Sequence, residues 1–499
     1  MNAPLRRVGV VVLVLFALLF VNLNYVQAYK ADDYRTSDYN ARVQISEYER
    51  QRGSIEAAGG VVLAQSEPSN DQLKYQRKYP NAEQYAHVVG YKSVNLSTTG
   101  IEKLENAYLQ GNADSQVAER WLAMLTGKRT SGGNVLLTLS PSAQKKAYDA
   151  LRSRNGGRGA KGAIVALDPQ SGALLAAVSS PSFDPNPLAS HDRNVARDAA
   201  NRLDADPAKP LLNRAFSDIY PPGSTFKVIV SAAALSSGMT PESTVQGGTA
   251  YPLPNSSNVL GNAPGVVCGD TLTLKQALTV SCNTAFGRLG AEQLGADKIK
   301  SMAQAFGFED TPKFDQDTKN VMGVTASHTG TMLDPNGQVD KATVALSSIG
   351  QSNVQMTPLQ GALIAATVAN HGSQMRPYLI DKELAGDRTS TYVAKQQEQR
   401  QPISPEAADA LRDMMISVVD NGTGKTARIN GVQVGGKTGT AENGENSDHG
   451  WFIGFAVKNG KPVAAVAVFL ERAGANGSRD AAQIAGSVMK AIIDERGAK

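Results

Sequence analysis

Hydrophobic and polar positions divide the chain into three parts. From Val8 to Tyr29 no residue is charged, and Val8 to Val21 is continuously apolar apart from Gly9. That pattern predicts one helix able to cross a hydrocarbon layer of about 30 Å at about 1.5 Å per residue. Residues 30–134 are polar and charged, with turn chemistry at Glu67-Pro68-Ser69-Asn70, and predict a small separate domain. From residue 135 to residue 499 apolar runs become denser and predict one large domain of mixed helices and strands.

Within that domain, the β-rich runs Gly162 to Leu167 and Ala173 to Val178 flank Asp168-Pro169-Gln170-Ser171-Gly172 and predict a hairpin. Trp451 to Val457 and Val463 to Leu470 flank Lys458-Asn459-Gly460-Lys461, where Asn-Gly supplies the positive φ of a tight turn. Most of the sequence between these hairpins has helical character. Strands at both ends of a domain predict an antiparallel sheet assembled from its two ends, an α+β fold. Ile484, Val488, Met489, Ile492 and Ile493 recur at helical spacing and predict a terminal helix over 480–493 that covers one face.

Composition narrows the function classes. Among 499 residues, 50 Lys and Arg stand against 46 Asp and Glu, a balance without the dense basic footprint of a nucleic-acid binder. With 41% hydrophobic and 19% charged residues, the composition argues against bulk disorder and against a multi-span membrane protein. Two cysteines rule out a Cys-rich metal framework, and the five histidines show no H-E-x-x-H spacing, so no metal or cofactor is expected. Arg6 and Arg7 ahead of the apolar segment predict a cytoplasmic N-terminus and a membrane anchor over residues 1–29. Cleavage after Val26-Gln27-Ala28 is the competing reading, and both export the remainder.

Three short motifs carry candidate chemistry. Pro221-Pro222-Gly223-Ser224-Thr225-Phe226-Lys227 leads into the apolar run Val228 to Leu235, which places Ser224 at a helix start and Lys227 one turn on, on the same face. A serine hydroxyl needs a base, and a lysine amine can serve only if burial and a second cation lower its pKa. The spacing alone is weak, because Ser142-Ala143-Gln144-Lys145 repeats it on what reads as a solvated helix face. Ser281-Cys282-Asn283 lies between two helical runs, and Asn283 taken singly reads as a helix cap. Gly435-Gly436-Lys437-Thr438-Gly439-Thr440 reads as a strand bordering a cleft, whose backbone can hold an acyl substrate as an added strand. Lys437 supplies the second cation.

Gly431, Gly436, Lys437 and Thr438 also match a phosphate-binding loop. A helix must follow such a loop directly. Here Glu442 to Asp448 is a turn-prone polar stretch, so the context fails.

Taken in order, Ser224-x-x-Lys227, Ser281-x-Asn283 and Lys437-Thr438-Gly439 resemble the active-site motifs of penicillin-binding proteins and serine β-lactamases. Gly162 to Pro169, Pro181 to Asn186, Leu212 to Phe216, Ile349-Gly350-Gln351 with Thr357 to Gln360, and His449 to Gly454 extend the resemblance to the transpeptidase domain of class B penicillin-binding proteins. Arg52-Gly53-Ser54-Ile55, Gly60 to Ala64 and Gly100-Ile101-Glu102 resemble that class's noncatalytic, dimerisation-like pedestal. Glu56-Ala57-Ala58 departs from the Asp-Arg-Asn run more usual there. The short pedestal is most similar to that of the actinobacterial penicillin-binding protein A group.

The resemblance implies that Ser224 attacks the penultimate D-alanine carbonyl of a peptidoglycan stem peptide, with Lys227 as base. Ser281 would relay a proton, Asn283 would orient Lys227 and the substrate amide, and Lys437 would sustain the field. Thr438, Gly439 and Thr440 would bind substrate, and the backbone N–H groups of Ser224 and Thr440 would form the oxyanion hole. It further implies acylation by β-lactam antibiotics, a separate glycosyltransferase, and divisome or elongation partners. A D,D-carboxypeptidase, a β-lactamase and a non-catalytic β-lactam sensor or divisome scaffold are the alternatives. Cys268 and Cys282 have two readings, an exported disulfide tethering the Ser281 loop or two buried thiols.

Overall fold

The computed structural model describes all residues except 1–2, 31–47, 49, 118–120, 122–124, 126–130, 155–156, 158, 315, 445 and 498–499. The start of the N-terminal domain expected from residue 30 therefore lies, over 31–47, outside the described residues.

Ala3–Asn24 is α-helical and continues as a π-helical turn over Tyr25–Tyr29. Its Arg6–Tyr29 stretch is, among the described residues, the one helix long and apolar enough to cross a membrane. Its valines, leucines and phenylalanines are exposed rather than packed against protein.

The large domain is organised by a five-stranded sheet ordered Gln433–Asn443, Asn446–Lys458, Lys461–Leu470, Gly162–Leu167 and Leu174–Ser180. Every neighbouring pair is antiparallel, and the join between Lys461–Leu470 and Gly162–Leu167 brings the two ends of the domain together. Asn459 and Gly460 make the turn between Asn446–Lys458 and Lys461–Leu470 at φ 52° and 74°.

Alternate side chains along these strands feed two cores, as a pleated strand requires. Ile164, Ala166, Val466 and Val468 pack with Ile484, Val488 and Met489 of the terminal helix Gly477–Gly497. Val165, Ala467 and Phe469 instead join the core shared by the helices Lys227–Ser236, Pro358–Ala369 and Pro405–Asp420. Covered on both faces, the strands read as nearly unbroken apolar runs.

The polar stretch expected to be a loop after Thr440 is instead drawn into the sheet. Strand pairing continues to Asn443 opposite Asn446, because cross-strand backbone bonds need no apolar side chains.

A second, six-stranded sheet is ordered Ser390–Val393, Ile380–Leu384, Asn134–Leu137, Ile55–Ala57, Val61–Pro68 and Tyr75–Lys78. The N-terminal segment thus completes its sheet with a hairpin donated from far along the large domain. The side chains of Arg52 and Arg77 converge beneath it on the buried carboxylate of Glu102, at 2.7 and 2.6 Å.

Candidate active site

Gly223–Phe226 forms a 3-10 turn that passes into the α-helix Lys227–Ser236. In a 3-10 turn residues three apart eclipse, which aligns Ser224 and Lys227. The turn is held on three sides. Gly223 N–H donates to Gly350 O at 2.9 Å, and Trp451 Nε1 donates to Pro221 O at 3.0 Å. On the third side, a Cβ on Gly223 would stand 2.3 Å from Thr440 O, and one on Gly350 would stand 1.9 Å from Gly223 O. Gly223 and Gly350 also take φ of 52° and 76°, so both positions require glycine on two grounds.

Lys227 is fully buried, and its Nζ donates to Asn283 Oδ1 at 2.7 Å and to Ser281 O at 2.8 Å. Ser281 Oγ lies 3.3 Å away. The Lys227 backbone N–H donates to Ser224 O, but no hydrogen bond joins the Lys227 amine to the Ser224 hydroxyl, which is half-buried and has no partner among the described residues. Lys437, also fully buried, donates from Nζ to Ser281 Oγ at 2.8 Å and to Thr438 O at 2.9 Å.

Burial pushes the Lys227 amine well below the usual lysine range, and the neighbouring Lys437 charge pushes it further. Burial alone brings Lys437 down to about 7. Asn283 Oδ1 and Ser281 O are acceptors, so they engage both N–H bonds of a neutral Lys227 and leave its lone pair available for a proton.

Ser281 caps the helix Leu274–Val280 in a left-handed conformation, φ 63°. Cys282 is the cap of the next helix, Asn283–Arg288. Asn283 is therefore not the cap its isolated motif suggested. It is the first helical residue, and its amide serves Lys227 on one side and donates to Gly261 O at 3.1 Å on the other. Cys268 and Cys282 are joined by a disulfide.

Lys437 lies on the strand Gln433–Asn443, with Thr438 opposite Phe452, Gly439 opposite Trp451 and Thr440 opposite Gly450. The backbone after Lys437 is extended, which removes the phosphate-loop geometry. A Cβ on Gly439 would stand 2.7 Å from Pro222 O, so this glycine lets the strand approach the Ser224 turn. Thr438 Oγ1 is 2.5 Å from Thr423 Oγ1, and the more exposed Thr440 hydroxyl reaches Ser478 Oγ at 3.5 Å.

Thr423, Ser478 and Gly261 border the site without having been singled out in the sequence. Each lies in a run indistinguishable from an ordinary loop or helix start. The competing Ser142 and Lys145 are elsewhere: Lys145 is exposed and pairs with Asp149.

Two family models match the chain, the penicillin binding protein transpeptidase domain over residues 162–492 and the penicillin binding protein A dimerisation domain over residues 52–135. The chain belongs to the class B penicillin-binding protein transpeptidases. This penicillin-binding protein is 42% identical to the peptidoglycan D,D-transpeptidase PbpA of Mycolicibacterium smegmatis over 499 residues, covering 99% of this chain and 98% of that one. It is 41% identical to PbpA of Mycobacterium tuberculosis over 500 residues, with 99% of each chain covered. The solved imipenem acyl-enzyme complex of M. tuberculosis penicillin-binding protein A superposes with a TM-score of 0.83 at 41% identity, covering 90% of this chain and 100% of that chain. The corresponding penicillin G acyl-enzyme complex gives 0.81 at 40% identity, covering 90% and 99%.

Proposed function

We propose that this penicillin-binding protein is a peptidoglycan D,D-transpeptidase that works through a serine acyl-enzyme. The observation that carries the reading is Lys227, buried, depressed in pKa, and held by Asn283 and Ser281 one turn from Ser224. As the neutral amine it takes the Ser224 proton while Oγ attacks the penultimate D-alanine carbonyl of a stem peptide. Ser224 and Thr440 N–H groups stabilise the oxyanion, a contribution of about 2.7 to 4 kcal/mol per donor in comparable acyl-transfer sites.

Ser281, which meets both lysines, passes a proton to the departing D-alanine amine. Lys437 supplies positive potential, and the Thr438 and Thr440 hydroxyls hold the terminal carboxylate. An amine from a second stem then attacks the acyl-enzyme, restores Ser224 and leaves the cross-link. β-Lactams acylate the same hydroxyl.

In this reading residues 1–29 form a single-pass anchor with a cytoplasmic N-terminus, 30–134 the pedestal and 135–499 the extracytoplasmic transpeptidase domain. Glycan strands come from a separate glycosyltransferase. The chain is incubated with a fluorescent penicillin and digested, and the label is expected on the peptide containing Ser224 and absent from Ser224→Ala. With a lipid-linked stem substrate, D-alanine release should accompany cross-linked dimers. Release without dimers would reassign the enzyme as a carboxypeptidase, and rapid loss of bound penicillin would reassign it as a β-lactamase.

A further inference from the structure

Coming from the anchor, the chain enters the N-terminal domain at Tyr48 and Arg50. Arg50 Nη1 donates to Gln110 O at 3.0 Å and to Asn112 Oδ1 at 3.3 Å. The next residue, Gln51, accepts at its backbone O from Gly132 N at 2.8 Å. The excursion over residues 113–131 therefore leaves and rejoins the domain at the point where the chain from the anchor arrives. Fully extended, the chain from Tyr29 to Tyr48 spans at most about 65 Å, which keeps this corner within that reach of the anchor's end.

Gln116 roots the excursion: it is buried, and its Nε2 donates to Tyr108 O at 3.2 Å. Beyond it Val117, Trp121 and Leu125 are helical and 37%, 65% and 82% exposed. Spaced by four, they form one stripe along the helix, and exposure grows away from the root. Outside the anchor, Trp121 is the one exposed tryptophan, tyrosine or phenylalanine among the described residues.

Three side chains fall well short of the roughly 800 Å² per partner that a stable protein interface buries, so a second copy of the chain is poorly served by this surface. A bilayer surface asks for no complementary shape. Tryptophan favours the headgroup level, leucine and valine the acyl chains just beneath, and lysine and arginine the phosphates. In sequence, Lys128 and Arg129 follow the stripe closely.

We infer that the Val117, Trp121 and Leu125 stripe rests in the headgroup region of the membrane that holds the anchor, as a second attachment of the pedestal. The inference rests on the reading of residues 1–29 as a membrane anchor. Two attachments fix the tilt of the pedestal over the bilayer, which one alone does not.

Both tryptophans lie outside the anchor, and Trp451 is fully buried, so quenching carried by the lipid reads Trp121. The full chain is reconstituted into vesicles of phosphatidylcholine and phosphatidylglycerol, with and without bromine on the upper part of the acyl chains. The Trp121 signal is the difference between the parent and Trp121→Phe. It should lose most of its intensity in brominated vesicles and be protected from iodide. Leu125 is too exposed to be needed for folding, so Leu125→Asp interrupts the stripe in a folded chain, with penicillin labelling as the check on its fold. That variant should regain Trp121 emission in brominated vesicles and become open to iodide.

Equal Trp121 emission in plain and brominated vesicles would overturn the inference. Combined with iodide protection it would assign the stripe to protein, either a second copy or another part of this chain, and without protection it would leave the stripe in water. Quenching that persists in Leu125→Asp would also overturn it, since lipid would then reach Trp121 without the stripe. Failure of the chain to float with the vesicles would instead overturn the anchor reading.

Discussion

Lys227 and Lys437 converge on one oxygen, Ser281 Oγ, at 3.3 and 2.8 Å from their amine nitrogens. Both are fully buried. Two like charges buried side by side are costly, so the pair gives up a proton more readily than isolated lysines do and titrates as a unit. Lys227 carries the additional burden of the Lys437 charge and gives up its proton first.

The rate of penicillin acylation should therefore be bell-shaped in pH. It rises as Lys227 becomes neutral, below the ordinary lysine range, and falls from about 7 as Lys437 loses its proton. Lys437→Gln removes the like charge, which allows the Lys227 pKa to climb and moves the rising limb to higher pH. The check is a stopped-flow pH series on both proteins. An unmoved rising limb would mean that the two amines do not sense each other.

The same burial has a consequence for stability. Lys437 falls from an ordinary 10.5 to about 7 in the folded chain, so across that interval the unfolded chain binds more protons. Stability should rise with pH through this window, and below it the fold carries the full cost of a buried ammonium. Lys437→Met should be more stable than the parent near pH 6, and the gap should close toward pH 10. Denaturant midpoints at the two pH values measure it.

Asn283→Asp replaces a neutral acceptor 2.7 Å from Lys227 Nζ with a carboxylate. An opposite charge at that distance favours the ammonium and raises the Lys227 pKa. Acylation at neutral pH should drop by about a hundredfold, in the range of a lost general base, and recover as the pH is raised. A loss that persists at high pH would indicate displaced geometry in place of a protonated amine.

Local pattern made the central sheet legible, because Asn459-Gly460 and the apolar runs on either side state a hairpin within a few residues. The three motifs were legible only in combination. Ser142 and Lys145 have the same spacing as Ser224 and Lys227, and what separates the pairs is burial: the Lys145 side chain is 67% exposed, beside Asp149 at 2.5 Å, while Lys227 is fully enclosed. Lys145→Ala should leave penicillin labelling unchanged and cost no more than about 0.5 kcal/mol, the worth of an exposed i,i+4 pair. Labelling rates and thermal midpoints test both parts.

The pedestal's closure was not legible. Asn134–Leu137 pairs with Ile380–Leu384, more than two hundred residues away, and short strands of mixed polarity do not declare such a partner. The unusual Glu56-Ala57-Ala58 acquires its explanation there. Glu56 meets Arg388, at the tip of the donated hairpin, through bonds of 3.1 and 2.9 Å. Arg388 and, to a lesser degree, the Ser54 hydroxyl draw the Glu56 carboxyl below its ordinary value, against the opposing effect of burial.

Arg388→Ala would strip that buried carboxylate of its cation. Arg388 is itself 57% exposed, so screening keeps the expected cost at about 1 kcal/mol. The sign follows from the depressed pKa: the contribution is complete above the unfolded value near 4.5 and disappears as pH falls through the lower folded value. Parent and variant should therefore differ in denaturant midpoint at pH 7 and converge in acid. A difference that survives unchanged in acid would trace the loss to packing of the arginine stem, and the clamp between pedestal and transpeptidase domain would then owe little to charge.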